Sequence, residues 1–160
     1  MKIVFFGTPS FVNPVLDVLQ KQFDVSHLRG ENVATPRDLK ADLFIVAAYG
    51  KILRSELLSI PKYGSLNIHP SLLPQYRGPT PVQTAILNGD TETGISIIIL
   101  DNKLDHGPIL VQQKEPILPT DTTQSLHERL FKIGAEILDQ NIQQYIKGHI
   151  KVSPQDDSKA

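Results

Sequence analysis

Uninterrupted apolar runs and helical-period stripes alternate along this chain, and the alternation predicts an open α/β sheet. Residues 3–6 (Ile-Val-Phe-Phe) form a continuous apolar run closed by Gly7, the pattern of a strand buried on both faces. A turn at Gly7-Thr8-Pro9 follows. Phe11, Val15, Leu16 and Leu19 then recur at helical spacing, predicting a helix from a Ser10 cap to about Lys21, with Pro14 tolerated in its first turn. Residues 24–28 read as a second strand, while 29–41 carry no full helix and at most one helical turn at 36–40. Residues 43–48 form another buried run, followed by a short helical candidate over 51–60. In 65–69 the pattern changes to strict alternation, with Asn67 and His69 on one face and Leu66 and Ile68 on the other.

Pro70, Pro74, Pro79 and Pro81 impose a stiff irregular loop before a short helix over 82–87. Residues 95–100 and 109–112 are strands, and the brief connection between them suits an antiparallel pair. The longest helix is predicted over 123–147, with Leu126, Leu130, Ile133, Ile137, Leu138 and Ile142 on one stripe and Gly148 as its C-cap. The expected fold is therefore α/β: a Rossmann-like, doubly wound, mostly parallel sheet with an antiparallel late strand. Residues 1–150 form the domain, and 151–160 have the composition of a linker or disordered tail.

Composition narrows the partners. The 160 residues suffice for one hydrophobic core, and a net charge of −1 exerts no long-range pull on nucleic acid or an anionic membrane. The absence of cysteine excludes disulfides, thiol nucleophiles and thiolate zinc sites. The start of the chain has no signal-peptide core, and no apolar run reaches membrane-spanning length, so a cytoplasmic location is expected.

Three places could carry chemistry. Gly7-Thr8-Pro9 has one glycine of a dinucleotide-binding turn, and Pro9 removes a donor that a phosphate would need, which disfavours NAD. Asn67-x-His69 brings an amide and an imidazole together on a buried strand; from spacing alone, a strand-end histidine bonded to backbone accounts for it equally well. Asp101 and Asp105, followed by His106 and Gly107, supply carboxylates in a segment whose composition also suits an ordinary turn. A metal site from His69, Asp105 and His106 lacks any established ligand spacing, so no metal is expected. His27, His127 and His149 read as surface residues.

The loop sequence carries the argument further. Asn67-Ile68-His69-Pro70-Ser71-Leu72-Leu73-Pro74-Gln75-Tyr76-Arg77-Gly78, with residues 101–107, closely resembles the folate-dependent formyltransferases. The openings at 2–9, 46–53 and 76–83 are most similar to the catalytic domain of the methionyl-tRNA formyltransferases. The resemblance implies Asn67, His69 and Asp105 as the catalytic trio, with Asn67 and His69 donating to the developing oxyanion. It implies 10-formyltetrahydrofolate as formyl donor, its pterin against Gly50, Lys51, Ile52 and Leu53 and against 101–104, including Asp101 and Leu104. It places Ser71, Leu72, Leu73 and Pro74 along the tetrahydrofolate site, and Tyr76 and Arg77 towards the acceptor, although Arg77 also suits a structural salt bridge.

The implied acceptor is the amino group of initiator methionyl-tRNA. Residues 24–41 have no room for the inserted loop by which that family approaches the acceptor stem, and its C-terminal RNA-binding domain would lie beyond residue 160. With 16 basic against 17 acidic residues, tRNA is expected to bind weakly to this chain alone. A nucleotide-linked amino sugar as acceptor, or a folate-binding remnant without catalysis, are the alternatives.

Overall fold

The structure, a computed structural model, describes residues 1–30 and 39–160. The helical turn expected at 36–40 falls mostly outside these residues, and Leu39 and Lys40 are not helical. The described strands are β1 (Lys2–Gly7), β2 (Asp24–Leu28), β3 (Leu43–Ala47), β4 (Ser65–His69), β5 (Glu92–Ile99) and β6 (Ile109–Pro116). They form one sheet in the order β2-β1-β3-β4-β5-β6. β1 to β4 pair in parallel, whereas β5 runs antiparallel to both β4 and β6. One strand, β5, is thus reversed within an otherwise parallel sheet, as the brief connection after residue 100 predicts.

Alternation along the central strands sends apolar side chains to both faces. Ile3, Phe5, Leu43, Ile45, Leu66 and Ile68 pack with α1 (Asn13–Gln20) and α4 (Thr123–Ile146). Val4, Phe6, Phe44 and Val46 point the other way, towards Tyr49 and Leu57 of the single-turn α2 (Ser55–Leu58). Each fully buried side chain of this size contributes roughly 1.5–3 kcal/mol. The two faces are unequal, since a 24-residue helix covers one and, among the described residues, a 4-residue helix serves the other.

Three boundaries differ from the sequence pattern. Ser10 opens a 3₁₀ turn, Ser10–Val12, and α1 begins only at Asn13 with no side-chain cap bond, because the ring of Pro14 is compatible only with a first helical turn. Helix is confined to Ser55–Leu58 within 51–60, since Arg54 is extended (φ −63°, ψ 148°). β5 and β6 are longer than their apolar runs. Glu92, Thr93 and Gly94 extend β5 by pairing with Pro116, Glu115 and Lys114 of β6, the edge strand, whose exposure permits polar residues there. The long helix agrees closely. Thr122 and Ser125 form a reciprocal capping box, and Gly148 (φ +73°) donates its N–H to the Tyr145 carbonyl. Among the described residues no helix is long and apolar enough to cross a membrane.

α4 lies close to the sheet where Gly134 faces β4 and β5. A Cβ there would stand 2.8 Å from Ile95 Cδ1 and 2.9 Å from Ile68 Cγ2, inside contact distance. Ile68 separates Asn67 from His69 along β4, so this contact sets the position of the strand that carries both. Gly134→Val is expected to lower unfolding stability by about 2 kcal/mol through overpacking. Urea denaturation checks it; an unchanged midpoint would show that α4 yields without cost.

Candidate active site

The register fixes which side chains meet. Val46 and Asn67 are parallel partners on one face, and His69 follows Asn67 by two residues on that face, the side α4 does not cover. The loop after β5 doubles back over it and delivers Asp105. Asn67 Nδ2 donates to Asp105 Oδ1 at 3.1 Å, and the Gly78 backbone N–H donates to Oδ2 at 2.9 Å. His69 Nδ1 stands 3.6 Å from the same Oδ2. Asp105 is 7% exposed and His69 4%. The trio implied by the sequence is therefore brought together in one cluster, with His69 and Asp105 buried and Asn67 half-buried.

The imidazole is oriented by backbone. His69 Nε2 lies 2.9 Å from the Tyr76 carbonyl, which can only accept, so Nε2 carries the hydrogen and Nδ1 of the neutral ring is bare. This Nε2–H is engaged within the loop, and Nδ1 faces Asp105. Burial holds the His69 pKa below its ordinary value of 6.5, although the Asp105 charge and the Tyr76 carbonyl both act to raise it. The ring is accordingly neutral at physiological pH.

Local backbone strain accompanies the cluster. Ala48, Tyr76 and Asp105 have φ of +46°, +57° and +47°, a left-handed conformation that costs non-glycine residues of order 1 kcal/mol or more. At Tyr76 this conformation accompanies the carbonyl bond to His69, and at Asp105 the bonds to Asn67 and Gly78.

Asn67 and Asp105 belong to the lining of an open cleft of about 360 Å³. Lys51, Ile52, Leu53, Asp101 and Leu104 line it as well, together with Arg54 and Lys103. Ile52 and Leu104 are 88% and 62% exposed, an unusual placement for large apolar side chains and a suitable rim for a flat organic ligand. Gly50 is an exposed turn residue (φ +78°) outside this lining. Ser71, Leu72, Leu73 and Pro74 also lie outside it. Ser71 and Leu73 are buried, with Ser71 Oγ donating to the Gln75 carbonyl and the Leu73 N–H to Ser96 Oγ. In the structure they brace the loop that holds Tyr76 and Gly78.

Arg77 adopts the structural role. It donates to Gln155 Oε1 and pairs with Asp157 at 2.7 Å. His106 turns to Asp101 at 2.7 Å and towards Asp157 at 3.6 Å, and among the described residues no cluster of three potential metal ligands occurs. His127 stacks on Phe11 and is half-buried. Residues 151–160, a linker or loose tail by composition, are held beside the site by these bonds and by a bridge between Ser153 and Ile109. Gly78, the Tyr76 carbonyl and Gln155 were not marked by charge or periodicity; only the first two lie within the motif that carries the family resemblance.

The family model described as formyl transferase matches residues 8–142. The chain belongs to the formyl transferase family. Its relatives include the methionyl-tRNA formyltransferase of Roseiflexus sp. (strain RS-1), 51% identical over 128 residues, 80% of this chain and 39% of the relative. The enzyme of that name from Fusobacterium nucleatum subsp. nucleatum is 37% identical over 193 aligned positions, 98% of this chain and 62% of the relative. The chain thus spans between 39% and 62% of the length of these curated relatives. The 193 positions exceed the chain's 160 residues, so the second relative carries residues absent here.

Among solved structures, the formyltransferase PseJ from Anoxybacillus kamchatkensis, in complex with UDP-4,6-dideoxy-4-formamido-L-AltNAc and tetrahydrofolate, superposes with a TM-score of 0.84. It is 23% identical, over 100% of this chain and 84% of that one. Glycinamide ribonucleotide transformylase 1 from Symbiobacterium toebii gives 0.77 at 22% identity, over 98% and 94%. At these identities the likeness shows a common formyltransferase fold.

One buried and one half-buried ring set a pH dependence. The pKa values of His69 and His127 are both lowered, in each case chiefly by burial. Below about pH 6.5 the unfolded chain takes up protons that the folded rings refuse, so stability is complete above that pH and falls as pH drops towards the depressed folded values. The urea midpoint is expected to decrease between pH 7.5 and 5.5, with a shallower slope in His69→Gln. A flat profile in the wild-type chain would contradict the neutral buried ring.

Proposed function

We propose that this chain transfers a formyl group from 10-formyltetrahydrofolate to a primary amine, the amino group of methionyl-tRNA. The observation that carries the reading is that the Asn67 amide and the Asp105 carboxylate converge at the wall of an apolar-rimmed cleft, with a neutral, backbone-oriented His69 buried behind the carboxylate. Ile52, Leu53 and Leu104 offer apolar contact to the donor's ring system, and Lys51, Arg54 and Lys103 offer positive charge. The acceptor follows from the names of relatives 51% and 37% identical to this chain.

Formyl transfer forms a bond from the amine nitrogen to the formyl carbon and breaks the bond from that carbon to the folate nitrogen. The carbonyl oxygen is negative in between. One Asn67 amide hydrogen is engaged by Asp105 Oδ1, which aims the group, and the second is available to that oxygen. Removing such a donor typically costs about 2.7–4 kcal/mol of transition-state stabilisation. The attacking amine loses a proton and the departing folate nitrogen gains one. Asp105 lines the cleft with His69 behind it, so the carboxylate passes the proton, directly or through a water, to His69 Nδ1. The resulting imidazolium is stabilised by Asp105 and returns the proton to the leaving nitrogen. Because burial keeps the ring neutral beforehand, its base form is available at neutral pH.

Turnover with 10-formyltetrahydrofolate and a panel of amines tests the reading. Formylation of methionyl-tRNA is expected, and His69→Ala and Asp105→Asn should each lower the rate at least about 100-fold with folate binding retained. Transfer to a nucleotide-linked amino sugar but not to methionyl-tRNA would replace the acceptor. Folate binding without transfer to any amine would make the chain a binding remnant.

A further inference from the structure

We infer that Gln155 is a positioning residue for Asp105, acting through the backbone of the loop that presents the carboxylate. Asp105 lies in a loop between β5 and β6, in a left-handed conformation, so its surroundings must hold it. Two contacts hold its side chain, from Asn67 and Gly78. Its backbone is held by Gln155, whose Nε2 donates to the Asp105 carbonyl at 2.8 Å and to the Gly107 carbonyl at 2.8 Å. Gly107 cannot adjust by carrying a side chain, because a Cβ would lie 1.7 Å from the Ile99 carbonyl oxygen.

The other end of the same amide reaches the second loop of the site. Gln155 Oε1 accepts from Arg77 Nε at 3.1 Å and from Arg77 Nη2 at 2.9 Å. Arg77 lies between Tyr76, whose carbonyl orients His69, and Gly78, whose N–H holds Asp105. One side chain therefore ties together both loops that set the carboxylate-imidazole geometry. An amide of this length suits the position. Its two N–H groups meet two carbonyls and its oxygen meets a guanidinium, so donors and acceptors are fully matched. The segment is anchored independently by the Ser153 bridge to Ile109 and the Asp157 pair with Arg77.

Two substitutions separate positioning from simple tethering. Gln155→Glu keeps, and strengthens by charge, the bond to Arg77, but replaces both donors to the Asp105 loop with an oxygen. Gln155→Met removes both sets of bonds. If Gln155 only fastened the segment, the Glu variant would match wild type. As a positioning residue it should fail in both variants: kcat for formyl transfer falls at least about tenfold, while the tetrahydrofolate Kd, by calorimetry, stays within about threefold. Wild-type kcat in Gln155→Glu would overturn the assignment. The rate arm rests on the formyl-transfer reading, and a wild-type chain without turnover would refute that reading alone. Backbone nitrogen relaxation then decides the positioning claim. Greater mobility of Asp105, His106 and Gly107 in Gln155→Glu supports it, and unchanged order at all three overturns it.

Discussion

A carboxylate withdrawn from water is unfavourable unless its oxygens are bonded, and the architecture around Asp105 answers that demand. Its oxygens accept from an amide of β4 and from a backbone N–H of the 70–78 loop, and the bare Nδ1 of His69, which has no hydrogen to give, stands beside them at 3.6 Å. Each partner is itself held: Asn67 by strand register, Gly78 by a loop braced on β5, and His69 by the Tyr76 carbonyl. The carboxylate thus joins its own loop to β4 and to the loop that directly follows β4. Removing it would leave an unpaired amide and N–H at the wall of the cleft, so its structural and chemical roles cannot be separated by deletion alone.

The cleft exists because the sheet is covered unequally. Large apolar residues on the α4 side build the greater part of the core, and Gly134 lets the helix approach the strands closely. On the opposite face, among the described residues, the cover is α2 and the loops around it. Polar side chains at Asn67 and His69 are tolerated there because a loop with hydrogen-bonding groups, instead of an apolar helix, lies over them. β5 contributes by its reversal: an antiparallel strand ends beside the start of β4, which obliges the following loop to cross this face and bring Asp105 to Asn67.

What the sequence disclosed divides along physical lines. Buried strands at 3–6 and 43–47, the alternating strand at 65–69 and the long amphipathic helix were legible, since burial against a sheet imposes period on side-chain character. The pairing of Asn67 with His69 followed from that alternation, whereas the part of Asp105 came from the family's motif. The Gln155 contacts had no such trace. They join residues 50 and 78 positions apart through side-chain amides, in a segment whose polar composition is also that of a linker. The start of α1 was misplaced because a serine ahead of a helical stripe resembles a cap, while Pro14 determined where α-helix could begin. Motif resemblance does not by itself distinguish lining from bracing, and of Ser71, Leu72, Leu73 and Pro74 the first and third are buried in loop contacts.

The proposed chemistry turns on one atom, the unprotonated Nδ1 of a neutral His69 facing Asp105, and nitrogen NMR of the ring observes it directly. With histidine labelled at both ring nitrogens, the His69 signals at neutral pH should show a protonated Nε2 and a bare Nδ1. On acidification Nδ1 should take up a proton below the ordinary histidine range. A ring protonated at Nδ1 at neutral pH, whether as the other tautomer or as imidazolium, would contradict the orientation by Tyr76 and the proton path built on it.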